Sequence, residues 1–199
     1  MKVVLATTNR GKVREIKKML SGLGLELYTL EDFPGVVLPP EDGNTFEENA
    51  RRKAMSAASQ TGLPALADDS GLEVDALSGA PGVRSARYAG PGAGDMDNVE
   101  KLLTRLEGVP AEKRTARFVC VAAYAGAGGE VRTFTGRLEG RISTEPAGRG
   151  GFGYDPVFFV PALGRTAAEL TAKEKNRISH RGKAFGDFRA WIETRSGRG

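Results

Sequence analysis

The sequence predicts an α/β fold, and three patterns carry the prediction. The chain opens with an apolar run, Lys2–Thr7, that breaks through a polar turn into a helix. Apolar runs of four to eight residues recur down the chain, separated by stretches with helical spacing of their apolar residues. No low-complexity tract, internal repeat or linker interrupts this alternation, so the 199 residues read as a single domain, 1–199, with room for two lobes. Strands alternating with helices build a sheet covered by helices.

The elements follow in order. Residues 2–7 alternate little and read as a buried strand. After Thr7-Thr8-Asn9-Arg10-Gly11-Lys12, the residues Val13, Ile16, Met19 and Leu20 recur at helical spacing, with Thr8 or Asn9 as the N-cap. A strand, tight turn and helix in succession leave free backbone N–H groups and a positive dipole end at one spot, which suits an anion. Arg10 and Lys12 fall in the first helical turn, where a cation opposes the dipole. They are either solvated surface charges or residues kept there for function. The spacing is not that of a Walker A loop.

Leu25–Leu30 predicts a second strand, and residues 31–43 a polar, proline-rich loop carrying Glu41. Thr45-Phe46-Glu47-Glu48 matches a capping box, and Ala50, Ala54, Ala57 and Ala58 give the helix that follows a small-residue face. Pro64–Ala67 reads as a buried strand running into Asp68-Asp69-Ser70-Gly71. In isolation Asp-Ser-Gly favours an Asx-type turn, with Leu72–Asp75 a separate strand. Were the strand to continue, the two carboxylates would point to opposite faces, one into a cleft and one into the structure. A buried carboxylate needs a cation, hydrogen bonds or a metal.

Residues 85–94 read as an exposed, mobile loop, 95–107 as a helix, 115–125 as the strongest strand, and Val131–Leu138 as its hairpin partner. Cys120 on that strand reads as core. Gly148–Gly153 formally matches G-x-G-x-x-G, but Tyr154–Val160 brings proline and β-formers where a helix should start, so the dinucleotide reading fails. A glycine-rich loop remains, where a ligand can approach backbone closely. Phe152 and Tyr154 beside it serve either as core anchors or as stacking surfaces. Ser179 caps a C-terminal helix marked by Ala184, Phe185, Phe188 and Ile192, with His180 and Arg181 in its first turn and residues 195–199 fraying.

Composition narrows the chemistry. One cysteine allows no internal disulfide and suits a reducing, cytoplasmic setting. One cysteine and one histidine nearly exclude a zinc site, so a metal would be a hard one on carboxylates, magnesium or manganese. No run is apolar enough to span a bilayer, and Met1–Ala6 is too short for a signal peptide. The net charge of +4 favours anionic partners. The basic residues are scattered, without the aromatic-basic interleaving of a single-strand binder, which speaks against nucleic acid. Two basic helix starts, a carboxylate pair, a loop glutamate and a glycine-rich loop are suited to a magnesium-bound polyphosphate.

Six motifs in order carry a resemblance: Thr7-Thr8-Asn9-x-Gly11-Lys12, Thr45-Phe46-x-Glu48-Asn49-Ala50, Ala67-Asp68-Asp69-Ser70-Gly71-Leu72, Pro81-Gly82-Val83-x-Ser85-Ala86-Arg87, Gly151-Phe152-Gly153-Tyr154-Asp155-Pro156 and Ile178-Ser179-His180-Arg181. Together they resemble the inosine/xanthosine triphosphate pyrophosphatase family over nearly the whole chain. The resemblance implies an elongated α/β protein with a mixed sheet, two lobes and an active-site cleft between them, usually as a homodimer. It implies magnesium-dependent conversion of ITP, dITP or XTP to the monophosphate and pyrophosphate. By the same resemblance Thr7, Thr8, Asn9, Arg10, Gly11 and Lys12 hold the triphosphate. Asp69 is the proton acceptor and a metal ligand, and Glu41 completes the metal site. Ser70 touches substrate, and Phe152, Gly153, Tyr154 and Asp155 contact base and sugar. Lys175 reaches substrate, and His180 with Arg181 reads the 6-oxo group.

Overall fold

Val3, Val4 and Leu5 are fully buried and place β1 (Lys2–Leu5) inside the sheet, with a parallel neighbour on each side. Val4 faces Tyr28 of β2 (Glu26–Thr29) and Ala65 of β3 (Ala65–Val74). Strands covered on both faces read as continuous apolar runs rather than alternating ones. That is the pattern of residues 2–6. The computed structural model describes residues 1–196 of the 199.

Helix α1 (Arg10–Met19) is capped by Asn9, whose Oδ1 accepts from the Lys12 N–H at 3.1 Å. Helix α2 (Phe46–Thr61) starts where Thr45 Oγ1 accepts from the Glu48 N–H at 3.1 Å. Only that half of the expected capping box forms, because the Glu48 carboxylate accepts from Asn44 N–H at 2.9 Å instead of reaching Thr45. The alanine face packs as expected, and Gly62, at φ 68°, ends the helix in the left-handed region.

β3 departs from the turn that Asp-Ser-Gly favours locally. It runs unbroken for 10 residues through Asp68, Asp69, Ser70 and Gly71, and so absorbs the separate strand expected at Leu72. Helix α3 (Asp95–Arg105) follows. Residues 85–87, expected in an open loop, belong to a 3-10 helix, Gly82–Arg87, in which the buried Ser85 Oγ accepts from Leu72 N–H at 2.8 Å. β4 (Thr115–Ala125) turns into β5 (Val131–Ile142), with Gly126 N–H donating to Glu130 O at 2.8 Å. β6 (Phe158–Val160) and β7 (Arg165–Thr166) pair antiparallel with their neighbours. Helix α4 (Ala172–Ile178), not anticipated from the sequence, precedes α5 (His180–Ser196). At the end expected to fray, Arg195 pairs with Glu130, and residues 197–199 lie outside the described residues. The sheet is mixed and seven-stranded, in the order β2-β1-β3-β4-β5-β6-β7.

Two compact units are defined, each with its own core. The first comprises residues 1–69, 120–136 and the described residues from 181 on. Its core joins Val3, Leu5, Ile16, Leu66, Phe185 and Phe188. The second comprises residues 70–119 and 137–180, and its core joins Leu72, Leu102, Phe118, Tyr154, Val157 and Phe158. Burying one such phenylalanine contributes about 1.5–3 kcal/mol before entropy.

Candidate functional site

In the first unit the chemistry gathers around β3. Successive side chains on a strand face opposite ways, and Asp68 and Asp69 meet different partners accordingly. Asp68 is fully buried. Its Oδ2 lies 3.1 Å from Lys12 Nζ and accepts from Arg181 Nε and Nη2, each at 3.3 Å. The Cys120 thiol adds a contact at 3.8 Å. Burial alone would push the Asp68 carboxyl up, but Lys12, Arg181 and Lys53 together hold it well below the ordinary carboxylate range. The same burial, with Asp68 next to it, pushes the Cys120 thiol up to about 12.

Asp68 also explains the cation at the start of α1. Lys12 opposes the helix dipole, and the compensation comes from β3, an element remote in sequence. Arg10 is different: it pairs with Glu31 at 3.0 Å, and both side chains are exposed. Thr7 Oγ1 accepts from Asn9 N–H at 3.2 Å, which fixes the turn before the helix. A Cβ at Gly11 would sit 3.0 Å from Asn9 Oδ1, so glycine there spares the cap.

Asp69 meets α2. Asn49 Nδ2 donates to Asp69 Oδ2 at 2.9 Å, and Asn49 Oδ1 accepts from Gly43 N–H at 2.9 Å. One turn on, Lys53 Nζ donates to the Asp68 carbonyl at 2.7 Å, pairs with Glu41 and lies 3.9 Å from Asp69 Oδ1. Burial, then the charge of Glu41, raises the Asp69 carboxyl, and Lys53 and Asn49 offset only part of that rise. A carboxylate with raised proton affinity beside hydrogen-bonding groups is suited to take a proton. Among the described residues no group of three or more histidine, cysteine or acidic side chains is arranged to hold a metal. Glu41 and Asp69 remain a pair of hard oxygen donors around one ammonium group.

The second unit holds the glycine-rich loop. No helix follows it: a 3-10 turn, Asp155–Val157, leads into β6. Added Cβ atoms at Gly148 and Gly150 would meet the Ala168 backbone at 2.7 and 2.8 Å, and one at Gly151, φ 75°, would collide with the Asp155 carboxylate. These three glycines therefore serve packing within the chain, contrary to the expectation that they open the backbone to a ligand. Gly153, at φ 61°, has open space where a Cβ would go, and its N–H donates to Asp95 at 2.7 Å. The two aromatics separate. Tyr154 is a core anchor whose buried hydroxyl donates to Ser85 O at 2.8 Å, whereas Phe152 is 39% exposed. Lys175 Nζ pairs with Asp155 and lies 4.8 Å from the Phe152 ring centroid. Asp155 Oδ2 also accepts from Phe152 N–H at 2.8 Å. His180 is buried and stacks on Phe118, centroids 4.9 Å apart. Ser70 and Thr7 are half-buried, and Thr8 is exposed.

The sequence profile of the Ham1 family matches residues 3–191. The chain belongs to the Ham1 family. Among its relatives, a dITP/XTP pyrophosphatase of Geobacter sulfurreducens is 57% identical over 184 residues, 92% of each chain. One of Yersinia pestis is 55% identical over 186 residues, 92% of this chain and 94% of the relative. The solved structure of a HAM1 protein from Coxiella burnetii is 45% identical, covers 98% of this chain and 99% of its own, and superposes with a TM-score of 0.91.

Within this Ham1 chain, sequence reasoning missed four participants: Glu15, Asn49, Lys53 and, as a partner of Lys12, Asp68. Two of them left a signal. Asn49 and Lys53 sit one turn apart on the alanine-lined buried face of α2, where polar residues need partners. Glu15 left none, because its partner lies 166 residues away.

Proposed function

We propose that the protein is a nucleoside-triphosphate pyrophosphatase for non-standard purine nucleotides, converting ITP, dITP and XTP to the monophosphate and pyrophosphate. The observation that carries the reading is Asp69: a buried carboxylate with raised proton affinity, oriented by Asn49 and flanked by Lys53 and Glu41. The names of the relatives agree with it. Asp69 takes the proton of the attacking water. Lys12 and the backbone N–H groups at the start of α1 bind phosphate oxygens, with Thr7, Thr8, Asn9, Arg10 and Gly11 shaping that turn.

The donor set fits magnesium. Glu41 raises the proton affinity of Asp69, so these two carboxylates would hold a divalent cation that relieved their repulsion, and magnesium needs only one or two carboxylates besides water and phosphate. When bound, it would supply charge neutralisation of the triphosphate. Manganese is a substitute with the same donor preference.

In the second unit the exposed Phe152 offers a stacking face, and Lys175, fixed by Asp155, offers a cation beside it. Gly153 has room beside it, and Tyr154, whose carbonyl accepts from Val157 and Phe158 N–H, holds the loop that carries it. Ser70 contacts substrate. His180 and Arg181 supply donors for the 6-oxo group, and a 6-amino group would leave such donors unpaired, which penalises adenine. Removal of these nucleotides from the pool, a cytoplasmic location and a homodimer complete the reading. The first two rest on the activity and the single cysteine, and the last on the family resemblance alone.

The test is a panel of ITP, dITP, XTP, GTP and dATP with magnesium, with products identified. Monophosphate and pyrophosphate from the first three are expected. Diphosphate and orthophosphate, or equal turnover of dATP, would overturn the reading, and turnover persisting in excess chelator would overturn its metal requirement. Asp69→Asn should lose about 10²–10⁴-fold in turnover, the range for a general base.

A further inference from the structure

The buried ion cluster of the first unit contains a residue that no role above uses. Glu15 lies on α1 three residues after Lys12 and so on the same face of the helix. Its Oε2 accepts from Arg181 Nη1 at 2.7 Å. On the other side of the guanidinium, Nε and Nη2 both reach a single oxygen, Asp68 Oδ2, at 3.3 Å. Lys12 Nζ claims that same oxygen at 3.1 Å, and the Cys120 thiol lies 3.8 Å from it. That oxygen of Asp68 is thus shared by two cations and meets Arg181 at 3.3 Å, while Glu15 meets it at 2.7 Å. Charge points the same way. Buried Asp68 already faces Lys12, Arg181 and, at longer range, Lys53, and Glu15 supplies Arg181 with a second carboxylate.

We infer that Glu15 is a positioning residue for purine selectivity: it fixes the orientation of Arg181 and leaves Asp68 available to Lys12. The inference rests on the proposed role of Arg181 in reading the 6-oxo group. It has a signature that general loss of structure lacks. With Glu15 neutral, Arg181 turns fully onto Asp68, which misdirects the guanidinium and loosens the hold on Lys12. Selectivity should fall while affinity for a bare polyphosphate stays or tightens. A change that merely damaged the fold would weaken both.

The experiment compares wild type, Glu15→Gln and Glu15→Asp by kcat/KM for dITP and dATP and by inhibition with inorganic tripolyphosphate. Thermal melting checks that each variant is folded. Glu15→Gln is expected to lower the dITP:dATP ratio about 10-fold with a tripolyphosphate inhibition constant equal to or below that of wild type. Glu15→Asp, which keeps the charge but is one methylene shorter, should give an intermediate ratio and serves alone if the glutamine variant does not fold. A ratio within twofold of wild type in the folded variants, or a parallel loss of ratio and tripolyphosphate affinity, overturns the role of Glu15. Wild type that does not favour dITP over dATP overturns the proposed function itself.

Discussion

Asp68 sits out of reach of water with Lys12 and Arg181 drawn onto one of its oxygens. Replacing one partner of such a buried group strands the others. Asp68→Asn should therefore destabilise the protein by about 3–5 kcal/mol at neutral pH, read from urea unfolding. The pH dependence follows from the sign of the shift. The folded-state carboxyl is held below its unfolded value near 4, so its contribution is complete above that pH and lost as pH falls below it. The deficit of Asp68→Asn relative to wild type should shrink between pH 5 and pH 3, and a constant deficit would refute the account. Asp69 has the opposite sign: its raised carboxyl costs stability at neutral pH, and that cost is relieved as pH falls through its folded value. That the neighbouring acids part ways was legible from strand alternation. Their partners were not, since Arg181 is 113 residues from Asp68 and no local pattern ties them.

At the scale of elements, β3 shows a tertiary pairing overriding a local turn preference. Asp-Ser-Gly belongs to turns by propensity, yet buried Leu66 before it and buried Leu72 after it hold the strand straight through. The glycine-rich loop shows the reverse error. Its glycines suggested access for a ligand, but Gly148, Gly150 and Gly151 make room for Ala168 and Asp155. At Gly151 the backbone is left-handed as well. Gly151→Ala should cost about 1–3 kcal/mol and, by displacing the Asp155 carboxylate that carries Lys175, raise KM for dITP. Melting temperature and KM unchanged from wild type would show the contact to be dispensable. The capping signals of α1 and α2 were readable because they are local. Helix α4 carries a local signal too, the capping box of Thr171 and Glu174, but it is only 7 residues long with no buried residue to give it a period.

For the molecule as a whole, the order of strands and helices was largely readable, and the places where the chain divides into two units were not. The boundaries fall inside β3, β4, β5 and α5. Domain limits are usually sought in exposed polar linkers, and no such segment exists at these four places. Each unit keeps its own aromatic core, and so truncation should act locally. Phe158→Ala should cost about 3–5 kcal/mol and lower amide-exchange protection in β6 and α3 more than in β1 and α1. Phe188→Ala should do the converse. Equal loss of protection everywhere in either variant would mean that the two cores melt as one.

The single thiol has a practical corollary. Cys120, on β4, is fully buried beside the Asp68 carboxylate, and its raised proton affinity keeps it a thiol throughout the physiological range. Alkylating reagents and peroxide attack the thiolate, so this sulfur should react slowly while the chain is folded. Labelling of this sulfur should therefore serve as a direct stopwatch for unfolding.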